Sequence, residues 1–297
     1  MFTDAFLNFF KMTEELGLDY GAETLATFGR HESFAFDTGN NAEDIWKRLV
    51  RINECLELFD AEKDKNLVNK IKDNLFFCAG VMPSIKNFEN PALSVENLKK
   101  TILDFKENGD DFASHLLAIG PCGIDHDWKS YDDNGREHEY YDSQSFYDEQ
   151  KLFELELELA KKMDMPVILH SRNAFQETMD VLRSVKYNKG MVHGFSYSIK
   201  ELEFFLNMGW YISFDGSITF NSKNKNEMAE MLDYVPLNRL LIESDSPYYS
   251  PIPVRGSVNS PDNLRYIYEY IASKRKMQPL KLNEKIQNNL RKLFDIE

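Results

Sequence analysis

Two histidines and an acid, each closing an apolar run, are the residues of this chain best placed to do chemistry. Pro166-Val167-Ile168-Leu169 leads into His170, Ser171 and Arg172. Gly190-Met191-Val192 leads into His193, and Leu240-Leu241-Ile242 leads into Glu243, Ser244 and Asp245. Two imidazole nitrogens and one carboxylate oxygen make a three-donor set that leaves a position open for water around a divalent cation. Such a cation (zinc, manganese, magnesium or similar) lowers the pKa of bound water and polarises a phosphoryl or carbonyl oxygen. His170, His193 and Asp245 are therefore the candidate metal ligands for one ion, and Asp245 is also the candidate proton acceptor. Arg172 carries the planar fork that suits bidentate oxyanion binding. A salt bridge to Glu243 or another rim acid is its competing role. Glu243 lies two residues before Asp245, so on a strand both face the same side, and Glu243 could orient a ligand histidine from behind. Arg255 follows the turn segment from Pro247 to Pro253 and is a second candidate for closing over a substrate. The alternative for Arg255 is a solvated loop position.

The elements that must position these residues recur along the chain. Short apolar runs fall near Thr24 to Phe28, Leu75 to Val81, Leu116 to Gly120, Pro166 to His170, Gly190 to His193, Trp210 to Phe214 and Arg239 to Glu243. An eighth can be placed at Met1 to Ala5. Helical patterns lie between them, the clearest from Ser145 to Met163, where Phe146, Phe153, Leu157 and Ala160 share one stripe. Pro166 ends that pattern and opens the next strand. Helices are also predicted over Asn173 to Val185, Ile199 to Met208, Lys225 to Tyr234, Asn263 to Lys274 and Leu280 to Leu293. Strand and helix alternating eight times predicts a single (β/α)8 barrel over residues 1–297, with its site at the C-terminal ends of the strands. Strands five, six and eight would then bring His170, His193 and Asp245 to one rim. A doubly wound open sheet is the competing fold, but it usually carries a Gly-rich phosphate loop that this sequence lacks.

Bulk properties bound the function. With 297 residues, 42% of them hydrophobic, the chain can bury a large core. A net charge of −14 argues against an extended basic grip on nucleic acid, although a metal and one or two arginines could still bind one phosphate. No run is long and apolar enough for a membrane span, and no signal peptide is read at the N-terminus. Cys55, Cys78 and Cys122, odd in number and widely spaced, fit reduced, buried thiols of a cytoplasmic protein.

Several of these motifs, taken together, resemble the TatD family of metal-dependent hydrolases. They are His170-Ser171-Arg172, His193-Gly194-Phe195-Ser196, Glu243-Ser244-Asp245-Ser246-Pro247-Tyr248, Arg255-Gly256 with Asn259-Ser260-Pro261, and the terminal Asn289 to Phe294. The likeness runs in order from about Leu116 to the C-terminus. It implies an amidohydrolase-type barrel with a divalent-metal site that cleaves phosphodiester bonds, with DNA or short oligonucleotides, weakly bound, as substrate.

The N-terminal third departs from that pattern. The family opens with Asp-x-His-x-His, where this chain has Asp4-Ala5-Phe6-Leu7-Asn8. A His-Pro pair after strand three is here Met82-Pro83. The metal-bridging glutamate after strand four is replaced by Pro121 within Ile119-Gly120-Pro121-Cys122-Gly123-Ile124-Asp125. Phe6 and Pro121 cannot coordinate and Asn8 offers only a neutral oxygen, so one metal is expected rather than two. Alternation along the strand turns Cys122 away from the side of Pro121, while Asp125 and His126 lie where they could reach in. Three readings stay open: a one-metal phosphodiesterase, a binding protein that has lost turnover, and a hydrolase of a non-nucleic ester or amide. Trp128, Tyr248 and Tyr249 in the rim loops could stack on bases or simply pack over the mouth.

Overall fold

A computed structural model describes residues 2–39, 41–60, 62–127, 143–220 and 225–296. Eight parallel strands form one sheet in sequential order: β1 (Asp4–Leu7), β2 (Ala35–Asp37), β3 (Leu75–Ala79), β4 (Leu116–Asp125), β5 (Val167–Arg172), β6 (Gly190–Val192), β7 (Tyr211–Phe214) and β8 (Leu240–Ile242). Helices connect them: α1 (Phe9–Leu16), α2 (Leu18–His31), α3 (Asp44–Leu56), α4 (Lys65–Asn74), α5 (Ile85–Phe88), α6 (Pro91–Asn108), α7 (Ser143–Met163), α8 (Phe175–Val185), α9 (Ile199–Asn207), α10 (Lys225–Tyr234), α11 (Leu264–Lys274) and α12 (Pro279–Phe294). The architecture is the (β/α)8 barrel that the alternation predicts. β1 and β8 are joined just past the end of β8, where Asp245 N donates to Phe6 O at 3.0 Å and Asn8 N to Ser246 O at 2.9 Å. Asp4 reinforces the seam by accepting from Ser244 N at 2.8 Å and Ser244 Oγ at 2.6 Å.

The strands are buried on both faces, by the barrel interior and by the helices, which is why they read as continuous apolar runs. Val167, Ile168 and Leu169 of β5 and Leu240, Leu241 and Ile242 of β8 are fully buried. α7 shows the complementary logic. Leu152, Phe153, Leu157 and Ala160 bury one stripe of that helix against the sheet, while Tyr147 stays exposed. All three cysteines are free and buried. No described helix is long and apolar enough to cross a membrane.

Two predicted strands are misplaced. Thr24 to Phe28 lies inside α2, and the second strand is Ala35–Asp37. Ala22, Leu25, Ala26 and Phe28 are buried at three- to four-residue spacing, which is helical periodicity, and a three-residue strand is too short to show alternation. The first strand sits three residues later than Met1 to Ala5, so Phe6 and Leu7 belong to it.

Candidate metal centre

β5 and β6 run side by side, and His170 near the end of β5 meets His193 just past β6. His170 Nδ1 stands 2.9 Å from His193 Nε2. The outer nitrogen of each ring faces a carboxylate: His170 Nε2 is 2.8 Å from Asp125 Oδ2 and His193 Nδ1 is 3.3 Å from Glu243 Oε1. A histidine whose outer nitrogen is held by a carboxylate presents a lone pair on the inner one. Two such lone pairs facing each other repel unless a proton or a cation lies between them. Two nitrogens bound to one tetrahedral zinc would stand about 3.4 Å apart, so the pair needs to open only slightly to take an ion.

Each carboxylate behind the pair is itself fixed. Glu243, directly after β8, accepts from Gly194 N at 2.7 Å and from Ser213 Oγ at 2.5 Å. Asp125 closes β4 in register with Arg172, two strand positions beyond the pairing of Gly123 with His170. A Cβ on Gly123 would lie 1.9 Å from His170 O, so glycine is required for β4 to approach β5 this closely. The Asp125 N–H donates to Glu149 Oε1 of α7 at 2.8 Å. Ring stacking completes the setting: Phe6 of β1 lies flat on His193, with centroids 4.0 Å apart and planes at 14°.

The mouth of the barrel holds more negative charge than it neutralises. Burial raises Asp215 to about 6, helped by repulsion from Glu243. Burial also raises Glu243 to about 8. It carries Asp245 well above the usual carboxylate range, with Asp215, Glu243 and Asp4 adding to the rise. His193 is held down to about 4 by burial, so its ring is neutral with a lone pair to give. Asp125 stands apart. Burial pushes its carboxyl up, but the hydrogen bond and charge of His170 carry it below the ordinary value. The neutral His193 ring beside crowded acids is a donor set that a divalent cation would satisfy.

Of the residues singled out from sequence, His170, His193 and Glu243 converge. Asp245 lies nearby at the mouth, buried, but it has left the strand: β8 ends at Ile242, and Asp245 adopts φ +52. The strand alternation that would place it beside Glu243 therefore does not apply. Among the described residues no three His, Cys, Asp or Glu side chains form a ready-made metal-ligating group. Arg172 is at the rim, as expected, and its ion pair is with Asp127 Oδ2 at 2.8 Å rather than with Glu243. It also donates to Tyr249 Oη at 3.0 Å. Arg255 is exposed and packs its guanidinium over the Phe220 ring at 4.1 Å. Trp128 lies outside the described residues.

Asp215 and Asp127 escaped the sequence reading, and Asp125 was placed only loosely. The signal for Asp215 was present: the run from Trp210 to Phe214 also closes on a carboxylate. At three of the departed positions the side chains have other work. Phe6 stacks on His193, Asn8 Oδ1 caps α1 by accepting from Lys11 N at 2.9 Å, and Pro121 is buried in β4.

Comparison with known proteins agrees with this geometry. A family model described as TatD related DNase matches residues 30–295. An uncharacterized metal-dependent hydrolase of Buchnera aphidicola is 32% identical over 267 residues, covering 86% of this chain and 92% of that protein. The uncharacterized metal-dependent hydrolase YcfH of Escherichia coli K12 is 31% identical over 228 residues, 76% of each chain. Among solved structures, the TatD homologue YjjV of Escherichia coli superposes with a TM-score of 0.74 at 22% identity, covering 100% of this chain and 98% of that one. A TatD family hydrolase from Entamoeba histolytica gives 0.72 at 18% identity over 100% and 98%. With the motif order, the barrel and the strand-end histidines in agreement, the chain belongs to the TatD family of metal-dependent hydrolases.

Proposed function

We propose that this protein hydrolyses phosphodiester bonds in DNA or short oligonucleotides with one divalent cation. His170 and His193 would hold the ion, and Asp245 would serve as third donor or as the acceptor of the proton lost by water. The observation that carries the reading is the 2.9 Å approach of His170 Nδ1 to His193 Nε2, with the outer nitrogens occupied by Asp125 and Glu243. Once bound, the cation supplies an acidified water and a polarised phosphoryl oxygen. The chain supplies the rest. Asp125 and Glu243 fix the two rings, Asp245 would accept the proton once a bound cation offsets the burial that raises its pKa, and Arg172 offers its fork to a phosphate oxygen at the rim. Arg255 would add a second guanidinium further out. The acidic surface limits any standing DNA complex to weak binding.

A second reading draws on Arg172. Its guanidinium is already engaged by Asp127 and Tyr249, so an incoming phosphate must displace a carboxylate to reach it. A neutral ester or amide has no such competitor. Elemental analysis of the purified full-length chain, followed by assays on oligonucleotides and on neutral esters with and without chelator, separates the readings. About one zinc or manganese per chain, with chelator-sensitive nuclease activity, supports the first. Metal with turnover only of neutral substrates supports the second. No bound metal, and melting temperatures unmoved by added metal, would leave a binding protein.

A further inference from the structure

A single phenol joins the two chain segments that carry the histidines. Tyr197 lies four residues after His193, in the connection from β6 to α9. Its Oη is 2.7 Å from Ser171 Oγ and accepts from Ala174 N at 3.1 Å. Ser171 directly follows His170 on β5, and its Oγ also meets Thr178 Oγ1 of α8 at 2.7 Å. Successive strand side chains face opposite ways, so His170 looks into the barrel while Ser171 looks out toward α8. The phenol thus grips β5 from behind the very residue that orients its ring inward. Ala174, Ser171 and Thr178 are buried, which leaves no ready water to replace the phenol oxygen. The Tyr197 ring is itself wedged by Phe175, Phe195 and Phe205 at centroid distances of 5.7, 6.0 and 6.4 Å.

We infer that Tyr197 is a positioning residue whose hydroxyl, through Ser171 and Ala174, sets the separation of His170 from His193 and thereby the affinity of the pair for a divalent cation. The pairing of β5 with β6 runs from Val167 and Gly190 to Leu169 and Val192, and a further backbone bond runs from His193 N to Leu169 O at 3.0 Å. Past that bond, the His170–His193 approach and the Tyr197 bonds tie the two segments through side chains. Without the phenol, Ser171 of β5 and Ala174 just past that strand would lose their hydrogen bonds to the β6–α9 connection.

The inference deepens the metal reading, so the test includes a measurement that needs no metal. Full-length wild type, Tyr197→Phe and Ser171→Ala are stripped with chelator, and their imidazole N–H resonances are recorded by ¹⁵N NMR. Zinc is then titrated in competition with a chromophoric chelator. Tyr197→Phe keeps the ring and removes the bonds; Ser171→Ala cuts the link to β5 and leaves the phenol in place. Both are expected to shift or broaden the resonance of the His170–His193 pair and to weaken zinc binding about tenfold, the range found for groups that orient ligand histidines. Unchanged resonances and unchanged affinity in both variants, or a lower melting temperature without either change, would overturn the inference. If wild type takes up no zinc the metal reading falls, and the imidazole spectra alone then decide whether Tyr197 sets the spacing. Should Tyr197→Phe fail to fold, Ser171→Ala carries the test.

Discussion

The two halves of the barrel mouth are built on the same strand-end plan and put to different uses. On the β5–β8 side, His170, His193, Asp215 and Glu243 close their strands with titratable groups, and hydrogen bonds link three of them to each other or, through Asp125, to β4. On the β1–β4 side the corresponding positions are absorbed into structure. Phe6 packs, Asn8 caps a helix, and the Asp37 carboxylate that ends β2 is locked to Arg48 at 2.9 Å in a fully buried ion pair. The difference teaches that a strand end offers a place for chemistry and the side chain decides whether the place is used. On the β1–β4 side Asp125 faces the histidines, and it works as the partner of His170.

The largest effect expected from breaking this contrast is at His193. His193→Ala removes one imidazole and leaves the buried acids without their neutral partner, so bound metal and any hydrolytic activity should fall at least about 100-fold. Elemental analysis and turnover measured on the same preparation check it, and retained metal would show that the ion is held elsewhere. A smaller effect is expected at Asp125, across the divide. Asp125→Asn keeps the shape and loses the charge that fixes the His170 tautomer, which should weaken metal binding roughly 10- to 100-fold. An unchanged dissociation constant would mean that the two halves are not coupled through Asp125.

Restoration sharpens the comparison from the other side. Phe6→His, Asn8→His and Pro121→Glu together should raise metal stoichiometry from one toward two, measured by elemental analysis. The structure attaches a cost to the change. Loss of the Asn8 cap removes about 1 kcal/mol from α1, and loss of the Phe6 stack removes packing on His193, so the triple variant should melt below wild type in chelator. A variant that stays at one metal, with its melting temperature unmoved, would show that the N-terminal positions are wrongly matched.

Much of this site was legible because parallel strands buried on both faces announce themselves as apolar runs, and barrel geometry then fixes where their last residues go. His170 and His193 follow from those two facts. What stayed hidden depends on departures from regular structure. Asp245 leaves its strand through a left-handed backbone, which alternation cannot foresee. The pairing of Arg172 with Asp127 links the last residue of β5 to the connection that follows β4, and no spacing in the sequence encodes it. β2 was missed because three residues carry too little pattern, whereas the helical stripe of α2 is visible once 3.6-residue spacing is weighed against simple apolarity.

The smallest predicted effect lies outside the mouth and tests whether burial of acid is reserved for the functional half. Glu156 projects from α7 into the core, fully buried. One carboxyl oxygen accepts from Val81 N at 2.8 Å, and the other has no hydrogen-bond partner among the described residues. Burial raises its pKa well above the ordinary glutamate value of 4.5, so the folded chain holds this proton where the unfolded chain releases it. Folding then takes up a proton at every pH between the unfolded value and the raised folded one, and stability falls as pH rises through that window, by at most ~1.4 kcal/mol per pH unit for one group. Glu156→Gln keeps the acceptor for Val81 and cannot titrate. The variant should be no more stable than wild type at pH 5 and should melt several degrees higher at pH 8, each kcal/mol being about 2–4 °C in a domain of this size or somewhat smaller. Parallel melting curves at the two pH values would mean that Glu156 ionises in the folded protein. The unpartnered oxygen would then have to be meeting a positive charge.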